Sequence, residues 1–202
     1  MALDNRLDIT DDGALADAEE RIGKVRAFGL YRFGLSDAFE VGTFSGLAGI
    51  HRSLFGEVYG FAGEVRQVDI AKGSFPFAPA RFLDSTLRSI DRMPHGTFDE
   101  IAAKYVEMNI AHPFREGNGR SMRIWLDTML LRSLGMVVDW TSIDCERYLS
   151  AMVASPVDDA PIGKLLAGAL TAEVAEPSAL ARHIDASFAY EGLDAYRTED
   201  LL

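Results

Sequence analysis

The chain has 202 residues, 48% of them hydrophobic, a net charge of −11 and one cysteine, Cys145. That length can bury the core of a single domain, and the acidic balance disfavours nucleic acid as a direct partner, because phosphate-backbone binding runs on clustered lysine and arginine. One cysteine excludes an internal disulfide and a cysteine-rich zinc site, no apolar run reaches membrane-spanning length, and the acidic segment 1–20 is unlike a secretion signal, so a cytoplasmic protein without a membrane partner is expected.

Apolar residues at helical spacing predict an all-α fold. Segment 15–33 reads as a first helix, and 43–55 as a second that carries Phe44, Leu47, Ile50 and Leu54. The pattern breaks over 63–80, where Val65, Val68 and Ile70 lead through Lys72-Gly73-Ser74 into Phe75-Pro76-Phe77. This predicts a small hairpin, and Pro76, which cannot donate to a ladder, predicts that it keeps an open edge.

Thr97 and Glu100 form a capping box ahead of Ile101, Tyr105 and Met108. The helix they start should stop at His112, because Pro113 pushes the residue before it out of the helical region. The next helix, 118–134, is apolar around most of its circumference and stops at Gly135, as a central helix would. Arg120, Arg123 and Asp127 form one polar stripe along it, and buried charges need partners. Further helices are predicted over 144–154, 161–170 and 177–190, the last closed by Gly192.

The loop between the two central helices carries the chemistry. Gly117 and Gly119 flank Asn118, and glycine lets successive N–H groups converge on an anion at the positive end of the next helix. Arg120 and Arg123, one turn apart, suit a polyphosphate better than a single carboxylate. From the glycines alone, a plain turn between helices with surface arginines is the competing reading. His112 adds a general base, and Glu116 adds one hard oxygen ligand, enough for magnesium when a nucleotide supplies the rest. A transition-metal pair or a simple salt bridge would also use residues at that spacing.

Residues 112–123 match H-x-F-x-[DE]-G-N-G-R-x-x-R at every fixed position, and in this the chain resembles the Fic (filamentation induced by cAMP) family over most of its length. The resemblance implies a Fic-type helical bundle with a hairpin flap at 63–80. It implies a protein adenylyltransferase, in which His112 deprotonates a target hydroxyl for attack on the α-phosphate of ATP and Glu116 holds Mg2+. Phe114 would pack inward. Gly117, Asn118 and Gly119 would cradle the phosphates, with Arg120 and Arg123 at the β and γ end. Lys72 and Asn109 would also reach the nucleotide, and the flap would register a protein substrate by main-chain pairing. Gly119 stands where the phosphorylating Doc branch has a lysine, and Gly117 where phosphocholine-transferring relatives have an alanine; both favour AMP transfer. By resemblance the target candidates include the ATPase subunits of type II topoisomerases. A homo-oligomer is a further expectation.

Ser187-Phe188-Ala189-Tyr190-Glu191-Gly192 resembles the family's inhibitory motif [ST]-x-x-x-E-[GN], in the class that carries it on a C-terminal helix, here 177–192. An arginine placed for a γ-phosphate lacks an anion when ATP is away, so Glu191 is expected to pair with Arg123 at rest. Tyr190 is a candidate acceptor for self-modification. A catalytically silent nucleotide-binding protein, or a phosphotransferase using the same loop, are the alternative functions.

Overall fold

The computed structural model describes residues 2–33, 39–73, 75–172 and 176–202; Ser74, assigned above to the hairpin turn, lies outside them. The helices in chain order are α1 (Asp12–Arg32), α2 (Phe44–Phe55), α3 (Leu83–Asp91), α4 (Phe98–Ala111), α5 (Asn118–Leu134), α6 (Cys145–Ala154), α7 (Ala160–Gly168), α8 (Pro177–Ala189) and α9 (Thr198–Leu201). Two short antiparallel pairs accompany them, β1 (Ala71–Lys72) with β2 (Phe75–Pro76), and β3 (Met136–Val138) with β4 (Leu170–Ala172). The bundle is all-α in character, as expected. No helix among the described residues is long and apolar enough to cross a membrane.

At the centre lies α5, packed against both α4 and α2. Its side chains Met122, Trp125, Leu126, Met129 and Leu130 are fully buried, each contributing roughly 1.5–3 kcal/mol of transfer free energy. Asp127 of the polar stripe is also fully buried, and its carboxylate is satisfied by the Tyr31 hydroxyl at 2.6 Å and the Val138 N–H at 2.9 Å.

Helix α1 starts at Asp11, which caps the Ala14 N–H, and packs on both α2 and α8. The contact with α8 is close: a Cβ on Gly23 would stand 3.0 Å from the Phe188 ring. Lys24 cements it with a 3.1 Å ion pair to Asp185 of α8.

Two expectations need correction. The seventh helix ends at Gly168, because Leu170 is drawn into strand pairing opposite Val138. Helix α8 ends at Ala189 with Tyr190 as its cap, and Gly192, at φ +74°, shapes the turn beyond. His112 leaves the helical region as expected, for the left-handed one (φ 48°, ψ 62°).

Candidate active site

The loop 112–117 is built from its apolar side upward. Phe114 is fully buried, 3.9 Å between ring centres from His51 of α2 and 5.9 Å from Phe44. His51 accepts the Gly63 N–H on Nδ1 and so donates from Nε2 to the Glu116 carbonyl at 2.8 Å. Burial pushes its pKa down to about 4, so the ring is a neutral strut. Asn118 closes the loop from the other side, accepting the Phe114 N–H at 2.8 Å and donating to the Phe114 carbonyl at 2.7 Å. Both polar ends of that side chain are thus engaged within the loop. The first N–H groups of a helix lack intrahelical partners. At α5 the Gly117 N–H takes Glu116 Oε1 at 2.9 Å, and those of 118–120 begin the helix beside it.

Gly117 adopts φ +72°, and a Cβ there would strike the Phe55 ring at 2.4 Å. Both its conformation and its surroundings require glycine.

His112 sits at the end of α4 under unusual constraint. Left-handed backbone costs a residue with a side chain about 1–2 kcal/mol. It is held there by its own N–H on the Met108 carbonyl at 2.9 Å and by Arg66 Nε on its carbonyl at 2.8 Å. The buried Arg66 guanidinium also donates to the carbonyls of Val68 (2.7 Å), Ala78 (2.5 Å) and Ala111 (3.2 Å). One side chain therefore ties both arms of the hairpin segment to the residue that carries the imidazole.

The imidazole itself has a defined tautomer. Nδ1 lies 3.2 Å from the Asn109 carbonyl, which can only accept, so Nδ1 carries the proton and Nε2 the lone pair. Phe77 lies flat on the ring, with centres 3.6 Å apart and planes 12° from parallel. Burial pushes the pKa down to about 4, so His112 is neutral, the form a general base requires.

Glu191 occupies the two arginines. Its Oε1 accepts from Arg123 Nη2 at 2.8 Å and its Oε2 from Arg120 Nε at 2.6 Å. Arg123 is further held by Ser187, through Oγ at 2.8 Å and the carbonyl at 2.7 Å. Burial pushes the Glu191 carboxyl up, but the Arg120 and Arg123 guanidiniums outweigh it and hold the pKa at about 2. A Cβ on Gly119 would stand 2.3 Å from Glu191 Oε1, so this pairing and any side chain at 119 exclude each other.

His112, Lys72, Asn109, Glu116, Gly117, Asn118, Gly119, Arg120, Arg123, Tyr190 and Glu191 line one cavity of about 690 Å3. That is within the roughly 300–1,000 Å3 of small-molecule sites.

A family model described as the Fic/DOC family matches residues 43–130. The probable protein adenylyltransferase y4lH of Sinorhizobium fredii is 32% identical over 165 residues, covering 76% of this chain and 82% of that protein. The chain belongs to the Fic/DOC family. The protein adenylyltransferase VbhT of Bartonella schoenbuchensis is 34% identical over 164 residues, 75% of this chain; the match spans only about a third of VbhT, 33%. In fold, this Fic domain resembles the BepC protein of Bartonella tribocorum, solved with bound AMPPNP, at a TM-score of 0.73 with 20% identity, covering 85% of this chain and 93% of that one.

Within the Fic/DOC domain the structure places several predicted residues differently from their simplest expectation. Glu116 forms its ion pair with Arg120, at 3.1 Å, rather than with His112. No cluster of three or more histidine, cysteine or carboxylate side chains poised for a metal occurs among the described residues. Lys72 is exposed on β1, at the cavity wall. The Tyr190 hydroxyl is buried and faces the carbonyls of Trp140 and Ile143, each at 2.9 Å, so in this state it is not presented for modification. Sequence reasoning missed His51, Arg66 and Glu19, which reaches Arg120 from α1. The buried arginines pointed to a need for carboxylates, and the family motif does not say which.

Proposed function

We propose that this Fic domain transfers AMP from ATP to a hydroxyl of a target protein, and that Glu191 holds the described state inactive. The reading is carried by one observation: a neutral imidazole with its lone pair on Nε2, beside a helix N-terminus and two arginines whose anion is supplied internally. In the reaction, the target O–H gives its proton to His112 Nε2, the hydroxyl oxygen bonds to the α-phosphorus, and the bond to pyrophosphate breaks. Most of the acceleration would come from alignment and charge stabilisation, with general-base help of about 10²–10⁴-fold.

The residues fit the groups the reaction needs. Glu191 already places carboxylate oxygens on Arg120 and Arg123, which is where phosphate oxygens would bind once it leaves. Burial pushes the Glu116 carboxyl up, so this group gains from a cation beside it. Glu116 would hold Mg2+, whose chemistry is neutralisation of phosphate charge. The edge of β1 and β2 would register the target by main-chain pairing, and a type II topoisomerase ATPase subunit is one candidate on the basis of resemblance. The names of the relatives support the activity, and BepC's AMPPNP supports the nucleotide.

The test uses the Glu191→Gly protein, a bacterial lysate, and ATP labelled at either the α or the γ phosphate. Protein label from the α position alone, well above wild type, is the expected result. Label from γ alone, or from neither, overturns the reading.

A further inference from the structure

Arg120 has a second partner, deeper than Glu191. Its Nη1 donates to Glu19 Oε1 of α1, and the other oxygen of that carboxylate accepts the Tyr59 hydroxyl. The remaining nitrogens are occupied too, Nε by Glu191 at 2.6 Å and Nη2 by Glu116 at 3.1 Å. Three carboxylates share one guanidinium, and they differ in burial: the side chain of Glu19 is 6% exposed, that of Glu191 19% and that of Glu116 42%.

Burial sets Glu19 apart from the other two carboxylates. Glu19 and Glu191 both line the cavity, but Glu191 is the more exposed and stands on the turn after α8, where an incoming phosphate can take its place. Glu19 sits mid-helix, pinned by Tyr59, while the rings of Phe55 and Phe188 flank the guanidinium with centres 4.8 Å and 5.6 Å from its carbon. Nothing in phosphate binding requires Glu19 to move. It also lies outside the stretch 43–130 that matches the family model.

We infer that Glu19 is a positioning residue for the nucleotide: it stays on Arg120 when Glu191 leaves, and keeps the freed Nε edge aimed at the terminal phosphates. Without it the nucleotide itself would have to order a long side chain, at a cost in affinity and alignment. The inference rests on the proposed AMP transfer for its purpose, but nucleotide binding alone decides it.

The experiment measures equilibrium binding of ATP and of AMP to Glu191→Gly protein by calorimetry, with and without Glu19→Ala or Glu19→Gln, alongside transfer by the same proteins. Glu19→Ala is expected to weaken ATP binding about tenfold and leave AMP unchanged, while Glu19→Gln, which keeps the shape and one acceptor, stays within about threefold of the parent. Equal weakening of ATP and AMP would mark a structural role and overturn the inference. So would tighter ATP binding or faster transfer in Glu19→Ala, which would make Glu19 a second brake. If Glu19→Ala does not fold, Glu19→Asp, whose shorter side chain pulls the carboxylate back, takes its place with the same expectations. A Glu191→Gly parent that binds ATP selectively over AMP but transfers nothing defeats the proposed function and leaves the Glu19 comparison decisive; a parent that binds neither nucleotide overturns both.

Discussion

The loop 112–117 and the turn after α8 meet at the start of α5, but different forces hold them. The loop is fixed by a fully buried Phe114, a neutral His51 and both ends of the Asn118 side chain, contacts made of apolar area and neutral hydrogen bonds. The turn is fixed at its tip by Glu191 on two guanidiniums. Nothing dissolved in water substitutes for a packed phenyl ring, whereas a phosphate substitutes readily for a carboxylate. On the function proposed above, the first region is a scaffold and the second an arm that a nucleotide displaces.

Two substitutions break this contrast most sharply. Phe114→Ala should cost about 3–5 kcal/mol of stability, because the transfer free energy of the ring is lost and a cavity is left. Glu191→Gly should cost less, about 1–3 kcal/mol, since Arg120 keeps Glu19 and Glu116 and Arg123 keeps Ser187. Saturating ATP with Mg2+ should recover most of the second loss, as ligand at a hundred times its Kd contributes about 2.7 kcal/mol, and should leave the first largely unrepaired. Chemical denaturation with and without nucleotide measures both. Equal recovery in the two variants would erase the distinction between scaffold and arm.

A smaller effect sharpens the scaffold side. Arg66 joins the hairpin to the backbone of His112 through four carbonyls, and a lysine has neither the planar fork nor the reach to hold them together. In the Glu191→Gly background, Arg66→Lys should lower kcat/KM for the protein target by about tenfold, a loss of about 1.4 kcal/mol, with the KM for ATP little changed. Steady-state kinetics with each substrate varied in turn checks this. A change confined to the KM for ATP would mean that Arg66 does not serve the hairpin and the base.

How much of this was legible beforehand follows the range of the interactions. The start of α4 and the end of α5 could be read from Thr97, Glu100 and Gly135 because caps are local chemistry. The loop 112–117 could be read because its residues are contiguous, and Glu191 because its short motif is tied to the arginine by resemblance. Helix α3 was missed: its apolar residues Leu83, Leu87 and Ile90 are too few to set a period against the polar residues between them. The β3–β4 pairing joins Val138 to Leu170 across two helices, and Glu19 lies 101 residues from Arg120; neither leaves a local trace. The expected pairing of Glu191 with Arg123 covers half of the contact in the structure, where Arg120 shares the carboxylate.

The subtlest prediction concerns pH, and it sets the arm apart from an acid-sensitive latch. The two guanidiniums hold the Glu191 pKa at about 2, against about 4.3 for an ordinary glutamate, which the unfolded chain would show. A carboxyl whose folded pKa is lowered contributes stability that is fully present above the unfolded value and is lost as pH falls from there through the folded one. The window is therefore from about 4.3 down to about 2, and acidification from pH 8 to 5 should neither loosen the arm nor raise wild-type transfer. Thermal unfolding of wild type and Glu191→Gln across this range supplies the check: the gap in Tm should stay constant down to about pH 5 and close only below about 4. A gap that narrows between pH 7 and 5 would mean that Glu191 is not held by both arginines in solution. Release would then follow the pH of the medium, whereas the proposed function makes it depend on an anion that competes for the same two guanidiniums.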